Sequence, residues 1–271
     1  MEYKSISSVP RMIIFDYGQT LANEKPFDGV AGGAALLKYA VKNKYGYTAE
    51  QIQLVANELN RELGKFDPQR RIELTVEVPN RMFSAYLYRS LGIELSLSPP
   101  EIDRVFWDAA SPAHPTEGIE DFLAFLSQKG IRTGVISNIS YCGDALRERI
   151  NSLLPNHKFE FIIASSEYMF RKPSPHIYKL ALEMAELCAH EVWYIGDNFA
   201  LDVEGANNAG LFAVHYVGAL EPRNLRDHVF SDLINEASGG ERGFITVSSW
   251  DELAKIIDNI DYPDNADSVW I

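Results

Sequence analysis

Six short apolar runs punctuate the chain: Met12–Phe15, Thr133–Ser137, Phe159–Ala164, Val192–Ile195, Leu211–Tyr216 and Phe244–Val247. They carry the texture of strands covered on both faces. Between the later runs lie helical patterns at Gly118–Lys129, closed by Gly130, and at Pro175–Cys188 and Ser249–Ile260. The last opens with Ser249-x-x-Glu252, in which each side chain can satisfy the other's free backbone amide. Strands alternating with helices of this length predict βαβ units and a parallel sheet.

Ala22 to Pro115 breaks the rhythm and reads as almost entirely helical. Thr48-x-x-Gln51 and Ser98-x-x-Glu101 open helices near Ala49–Gly64 and Pro99–Ala109, while Ser96–Pro100 and Ser111–Pro115 are loop-like. The pattern predicts an α/β core with a Rossmann-like parallel sheet, built from residues 1–21 and 116–271. A helical domain, residues 22–115, is inserted after the first strand. The polar segment Gly218–Gly243 reads as a surface excursion before the last strand.

Composition narrows the function. The chain has 271 residues, enough for one or two domains at about 150 residues each. Its net charge of −13 repels phosphate backbones and anionic lipid, so nucleic acid and membrane are not expected partners. No apolar run approaches the roughly 18 residues a bilayer span needs, and Met1–Pro10 lacks the apolar centre of a secretory signal. Two isolated cysteines, Cys142 and Cys188, form neither a disulfide framework nor a zinc site, and the expected compartment is the cytoplasm.

Chemistry collects where predicted strands end. Asp16 follows the first run; Ser137 and Asn138 end the second; Gly196 and Asp197 end the fourth, with Asp202 shortly beyond. Ligands gather at the carboxyl ends of strands in a parallel sheet. Lys172 sits in Arg171-Lys-Pro-Ser-Pro175, a loop stiffened by prolines just ahead of a helix. Taken singly, Asp16 is a turn residue, Ser137 a cap, Lys172 a solvated charge and Asp202 a helix-start acid. Together they supply a nucleophilic carboxylate, a hydroxyl, a cation and an oxygen-rich set suited to Mg²⁺. That inventory fits phosphoryl transfer.

The order Asp16-x-x-x-Thr20, Ser137, Lys172 and Gly196-Asp197-x-x-x-x-Asp202 resembles the haloacid dehalogenase superfamily, in its branch with a helical cap after the first strand. The resemblance implies that Asp16 attacks phosphorus, that Ser137, Asn138 and Lys172 bind the phosphoryl group, and that Thr20 supports the nucleophile's loop. It implies Mg²⁺ held by Asp16, the Gly18 carbonyl and Asp197, with Asp202 orienting the metal shell or Lys172, and a small phosphorylated metabolite as substrate.

One position departs from that pattern. Phosphatases of the superfamily carry a second Asp, the general acid/base, where this chain has Gly18. Either the substrate needs no acid, or a cap residue such as Glu73, Glu77 or His114 replaces it, or the protein only binds a phosphorylated ligand and regulates. Dehalogenase-like or phosphonatase-like cleavage is a further alternative, Tyr17-Gly18 pointing to the first and Lys38, Lys42, Lys44 or Lys65 serving the second. Arg70, Arg71 and Arg81 are candidate anion contacts in the cap, while Phe83, Tyr86 and Tyr88 are mostly cap core.

Overall fold

The first apolar run is a fully buried strand, β1 (Met12–Phe15). In chain order there follow β2 (Ala22–Glu24), α1 (Gly29–Leu37), β3 (Ala40–Asn43), α2 (Ala49–Glu62), α3 (Asn80–Ser90), β4 (Ile93–Leu95), α4 (Pro99–Ala110) and β5 (Ala113–Pro115). Strands and helices then alternate through α5 (Ile119–Gln128), β6 (Arg132–Ser137), α6 (Gly143–Leu153), β7 (Phe159–Ala164) and α7 (Ser165–Tyr168). The chain continues with α8 (Pro175–Ala185), β8 (Val192–Gly196), α9 (Gly205–Asn208), β9 (Phe212–Tyr216), β10 (Phe244–Val247) and α10 (Trp250–Asp261). This computed structural model describes residues 8–65, 67, 73, 75–219 and 243–261. Arg70, Arg71 and nearly all of the expected Gly218–Gly243 excursion lie outside the described residues.

Six strands form one parallel sheet in the order β10-β9-β8-β1-β6-β7. Ile13 lies level with Thr133 on one side and Trp193 on the other. The chain builds β6 and β7 on one side of β1, then crosses to build β8, β9 and β10 on the other. Connections diverge at such a reversal and leave a crevice at the strands' carboxyl ends. It opens beside Asp16.

Alternate residues of β1 serve two apolar layers. Ile13 and Phe15 pack with Phe122, Leu126, Trp250 and Leu253 from α5 and α10, whereas Met12 and Ile14 pack with Ile177, Tyr178 and Ala181 from α8. Trp250 is 1% exposed, stacks on Tyr216 at 4.1 Å and on Phe122 at 5.2 Å, and donates to Thr116 Oγ1 at 3.0 Å. A buried indole needs that acceptor.

The segment before β5 is less purely helical than its pattern implies. It contains two antiparallel pairs, β2–β5 and β3–β4, whose strands of three or four residues are too short to show alternation. Both capping boxes form, Thr48 with Gln51 and Ser98 with Glu101. Leu36, Ile52, Leu87, Tyr88 and Ile93 make an apolar cluster separate from those of the sheet. Further on, α8 stops at Ala185, short of the expected Cys188. Glu186 turns left-handed with φ 54°, and Leu187 N–H closes back on the Leu182 carbonyl at 3.2 Å. At α10, Glu252 accepts from Ser248 rather than from the Ser249 amide, while its own N–H still donates to Ser249 Oγ at 3.2 Å. Among the described residues, no helix is long and apolar enough to cross a membrane.

Trp250→Ala should destabilise the fold by about 3–5 kcal/mol, because it opens a cavity and removes the indole donor from Thr116 together. Urea unfolding measures the cost, and a loss below about 1 kcal/mol would show that α10 is not integral to the core.

Candidate active site

Asp16 extends β1 by one residue. Its N–H donates to the Ile195 carbonyl at 2.8 Å, so the neighbouring strand fixes the backbone that carries the carboxylate. Ser137 ends β6 on one flank, and Asp197 follows Gly196 of β8 on the other. Parallel register delivers all three to one crevice.

Lys172 enters from the loop ahead of α8 and is 2% exposed. Its Nζ donates to Asp16 Oδ1 at 2.6 Å, to Asp202 Oδ1 at 2.5 Å and to the Tyr194 hydroxyl at 2.8 Å. An ammonium has three protons, and here each has a partner. Asn138 fixes the loop itself: its Nδ2 donates to the Lys172 carbonyl at 2.8 Å, and its Oδ1 accepts from the Lys172 N–H at 2.7 Å. Expected as a ligand contact, the Asn138 side chain is instead committed to positioning the lysine.

Asp202, 1% exposed, reaches this point through a π-helical turn at Phe199–Glu204. Its Oδ2 accepts from the Asn198 N–H at 3.0 Å. Gly196 is required here: a Cβ on it would stand 2.3 Å from Asp202 Cγ. Asp16, Asp197 and Asp202 each offer an oxygen, all within 4.8 Å of one another.

Three carboxylates therefore share one ammonium in a buried place. Burial raises Asp16 to about 6, with Lys172 opposing and Asp202 adding to the rise. Burial, then the charges of Asp202 and Asp16, raise Asp197 well above the usual carboxylate range. Burial alone would lower Lys172, but the facing carboxylates outweigh it and keep the ammonium charged. The excess of negative charge, made of hard oxygen donors, fits a divalent cation.

The remaining expected residues scatter. Ser137 is buried at the strand end. The Thr20 hydroxyl is buried with no hydrogen-bond partner among the described residues; the loop is held instead by its carbonyl, which accepts from Thr116 Oγ1 at 2.7 Å. Gly18 lies in the turn closed by Leu21 N–H to the Tyr17 carbonyl at 3.0 Å. Glu77 is engaged by Ser165 at 3.0 Å and Arg171 at 3.4 Å, while Glu73 and His114 are exposed. Lys38, Lys42, Lys44 and Arg81 are exposed too, and Lys65 lies 5.5 Å from the Phe83 ring. Tyr88 is buried and Phe83 half-buried in the helical cluster, whereas Tyr86 is exposed.

Sequence reasoning missed Glu24 and Arg149. Arg149, on α6, donates to the Tyr17 hydroxyl at 2.7 Å, to Asp108 at 2.7 Å and to the Ser111 carbonyl, and it pairs with Glu24 at 3.4 Å. Its guanidinium lies 4.3 Å from the Trp107 ring. Glu24 also accepts from Trp107 Nε1 at 2.9 Å, and burial raises its pKa. The available signal was an acid one short turn beyond Gly18, which reads like any loop charge.

Comparison with known proteins bears on this geometry. The model of one family, haloacid dehalogenase-like hydrolase, matches residues 10–210. The chain is 29% identical over 134 residues to "Haloacid dehalogenase-like hydrolase domain-containing protein 3" of Homo sapiens, covering 48% of this chain and 52% of that one. It is 34% identical over 106 residues to the glyceraldehyde 3-phosphate phosphatase of Methanothermobacter thermautotrophicus, covering 38% and 45%. The match thus spans about half the length of these relatives. A solved 2-haloacid dehalogenase from Pseudomonas syringae pv. Tomato superposes with a TM-score of 0.55 at 18% identity, over 92% of this chain and 98% of that one, which shows a shared fold.

Because Asp16 titrates near 6 when folded, against an ordinary 3.8, its contribution to stability is present below about 3.8 and lost as pH rises through 6. The loss is on the order of 3 kcal/mol. A divalent cation must displace that proton below pH 6 and none above it. The cation-induced rise in melting temperature should therefore be larger at pH 8 than at pH 5, and absent in Asp197→Asn. Equal shifts at both pH values would contradict the assignment.

Proposed function

The chain belongs to the haloacid dehalogenase-like hydrolases, and from that premise we propose that it is a Mg²⁺-dependent phosphatase of a small phosphorylated metabolite. The observation that carries the reading is the buried Lys172 ammonium bridging Asp16 and Asp202 at the sheet's crevice. Relatives named as phosphatases of phosphoserine and of glyceraldehyde 3-phosphate support the substrate class.

In this reading Asp16 attacks phosphorus in line with the leaving oxygen and becomes an aspartyl-phosphate. Lys172 then turns from Asp16 Oδ1 towards a phosphoryl oxygen, still tethered by Asp202 and Tyr194. The Ser137 hydroxyl, at the end of β6, donates to another phosphoryl oxygen. Asp16 and Asp197 would hold Mg²⁺, with the Gly18 carbonyl beside them; bound there, the ion supplies positive charge to the transferring phosphoryl group. Asp202, both of whose oxygens are occupied, positions Lys172. Residues 22–115 form a cap that selects the substrate over a core of 1–21 and 116–271. Its reach onto the core is visible in Asn80 N–H to the Ser140 carbonyl at 2.7 Å and Cys142 N–H to Asp103 at 2.7 Å.

The test is phosphate release from a panel of phosphorylated metabolites, with and without Mg²⁺. Asp16→Asn should reduce the best activity by more than about 10³-fold while leaving the fold intact. Turnover that survives the substitution, or needs no metal, would overturn the reading. Tight binding of a phosphorylated metabolite without turnover would favour a binding and regulatory role instead.

A further inference from the structure

We propose that Glu24 is the catalytic acid and base of this site, taking the role that Gly18 cannot. The inference rests on the phosphatase reading above and concerns which residue moves the proton. A Cβ built on Gly18 would have Glu24 Oε2 3.3 Å away, and no other heavy atom beyond its chain neighbours lies within 4 Å among the described residues. A carboxylate oxygen on an aspartate stands about 2.4 Å from its own Cβ, so Glu24 Oε2 lies about an ångström further out than that oxygen would. Glu24 therefore brings a carboxylate oxygen beside the space that a position-18 aspartate would use, from a different part of the chain.

The two oxygens of Glu24 are differently placed. Oε1 accepts from Trp107 Nε1 at 2.9 Å and faces Arg149 at 3.4 Å. Oε2 has no hydrogen bond among the described residues and is the oxygen turned towards Gly18. That oxygen is left accessible to water or to a leaving group beside the loop that follows Asp16, as a proton carrier must be. The backbone that achieves this is local: Gln19 N–H donates to the Ala22 carbonyl at 2.7 Å and Gln19 Nε2 to the Glu24 carbonyl at 3.1 Å, folding β2 back over Gly18. Glycine at 18 then has a second meaning, since a side chain there would press on Glu24.

The proton balance is complete. In the first step the Asp16–phosphorus bond forms, the bond from phosphorus to the leaving oxygen breaks, and the Glu24 carboxylic acid gives its proton to that oxygen. In the second, the Glu24 carboxylate takes a proton from water as its oxygen attacks phosphorus. The Asp16–phosphorus bond then breaks, releasing inorganic phosphate and restoring both carboxyl groups to their starting forms.

The experiment uses the full chain with Mg²⁺ and a series of substituted phenyl phosphates, from p-nitrophenyl to unsubstituted phenyl, with acid quench to trap phospho-Asp16. Glu24→Gln keeps an acceptor for Trp107, and thermal melting confirms that it folds. It should slow phenyl phosphate by about 10² to 10⁴-fold, slow formation of phospho-Asp16 from p-nitrophenyl phosphate far less, and make that intermediate accumulate. Adding Gly18→Asp to Glu24→Gln should recover part of the phenyl phosphate rate, whereas Gly18→Asp alone should not raise it. Equal slowing of every phenyl phosphate, with no accumulated intermediate and no recovery in the double variant, would leave Glu24 a structural residue and overturn the proposal. If the wild type itself neither labels Asp16 nor releases phosphate, the phosphatase reading fails and the role of Glu24 falls with it.

Discussion

The ammonium of Lys172 is the group on which the arrangement depends. Three aspartates from three segments bring oxygens within 4.8 Å of one another, and the Lys172 ammonium, bonded to Asp16 and Asp202, offsets much of their repulsion. Removing that partner would leave uncompensated buried charge, a cost of several kcal/mol. This explains why so much nearby structure serves the lysine. Asn138 clamps its backbone from both sides, Tyr194 accepts its third proton, and Gly196 stays small so that Asp202 can approach. The parallel sheet supplies the rest, because β1, β6 and β8 end at one level.

A second charged group, Arg149, performs a related task on the other side of Asp16. It joins α6 to Tyr17 in the loop after Asp16, to Asp108 of α4, to Ser111 between α4 and β5, and to Glu24 of β2. Any motion of the helical segment against the sheet must therefore act on the hydrogen bonds around Glu24. In the proposed reading, selection of substrate and placement of the proton carrier are linked through this one guanidinium.

Much of this was legible in the sequence. The runs Met12–Phe15, Phe159–Ala164 and Phe244–Val247 coincide with strands because burial on both faces leaves an unbroken apolar stretch. Asp16, Lys172, Asp197 and Asp202 stood out because strand ends and proline-stiffened loops limit where a side chain can go. What escaped notice depends on tertiary geometry. The β2–β5 pair has three residues per strand and no period to detect. Left-handed Glu186 ends α8 without a glycine to announce it. Asn138 looked like a ligand contact, since nothing in Ser137-Asn138 foretells the return of Lys172 to its amide. Glu24 approaches Gly18 only through the turn at Gln19, whose φ of 54° no pattern of polar and apolar residues encodes.

The central claim is that Asp16 is a nucleophile held ready by Lys172 rather than half of a static ion pair. A crystal structure grown with Mg²⁺ and beryllium fluoride, which mimics a phosphoryl group on a carboxylate, tests it most directly. The account predicts beryllium bonded to an Asp16 oxygen, a Lys172 Nζ that has exchanged Asp16 Oδ1 for a fluoride while keeping Asp202, and electron density for the ion at Asp197. An intact bond from Lys172 to Asp16, with beryllium fluoride absent from the crevice or bound elsewhere, would contradict it.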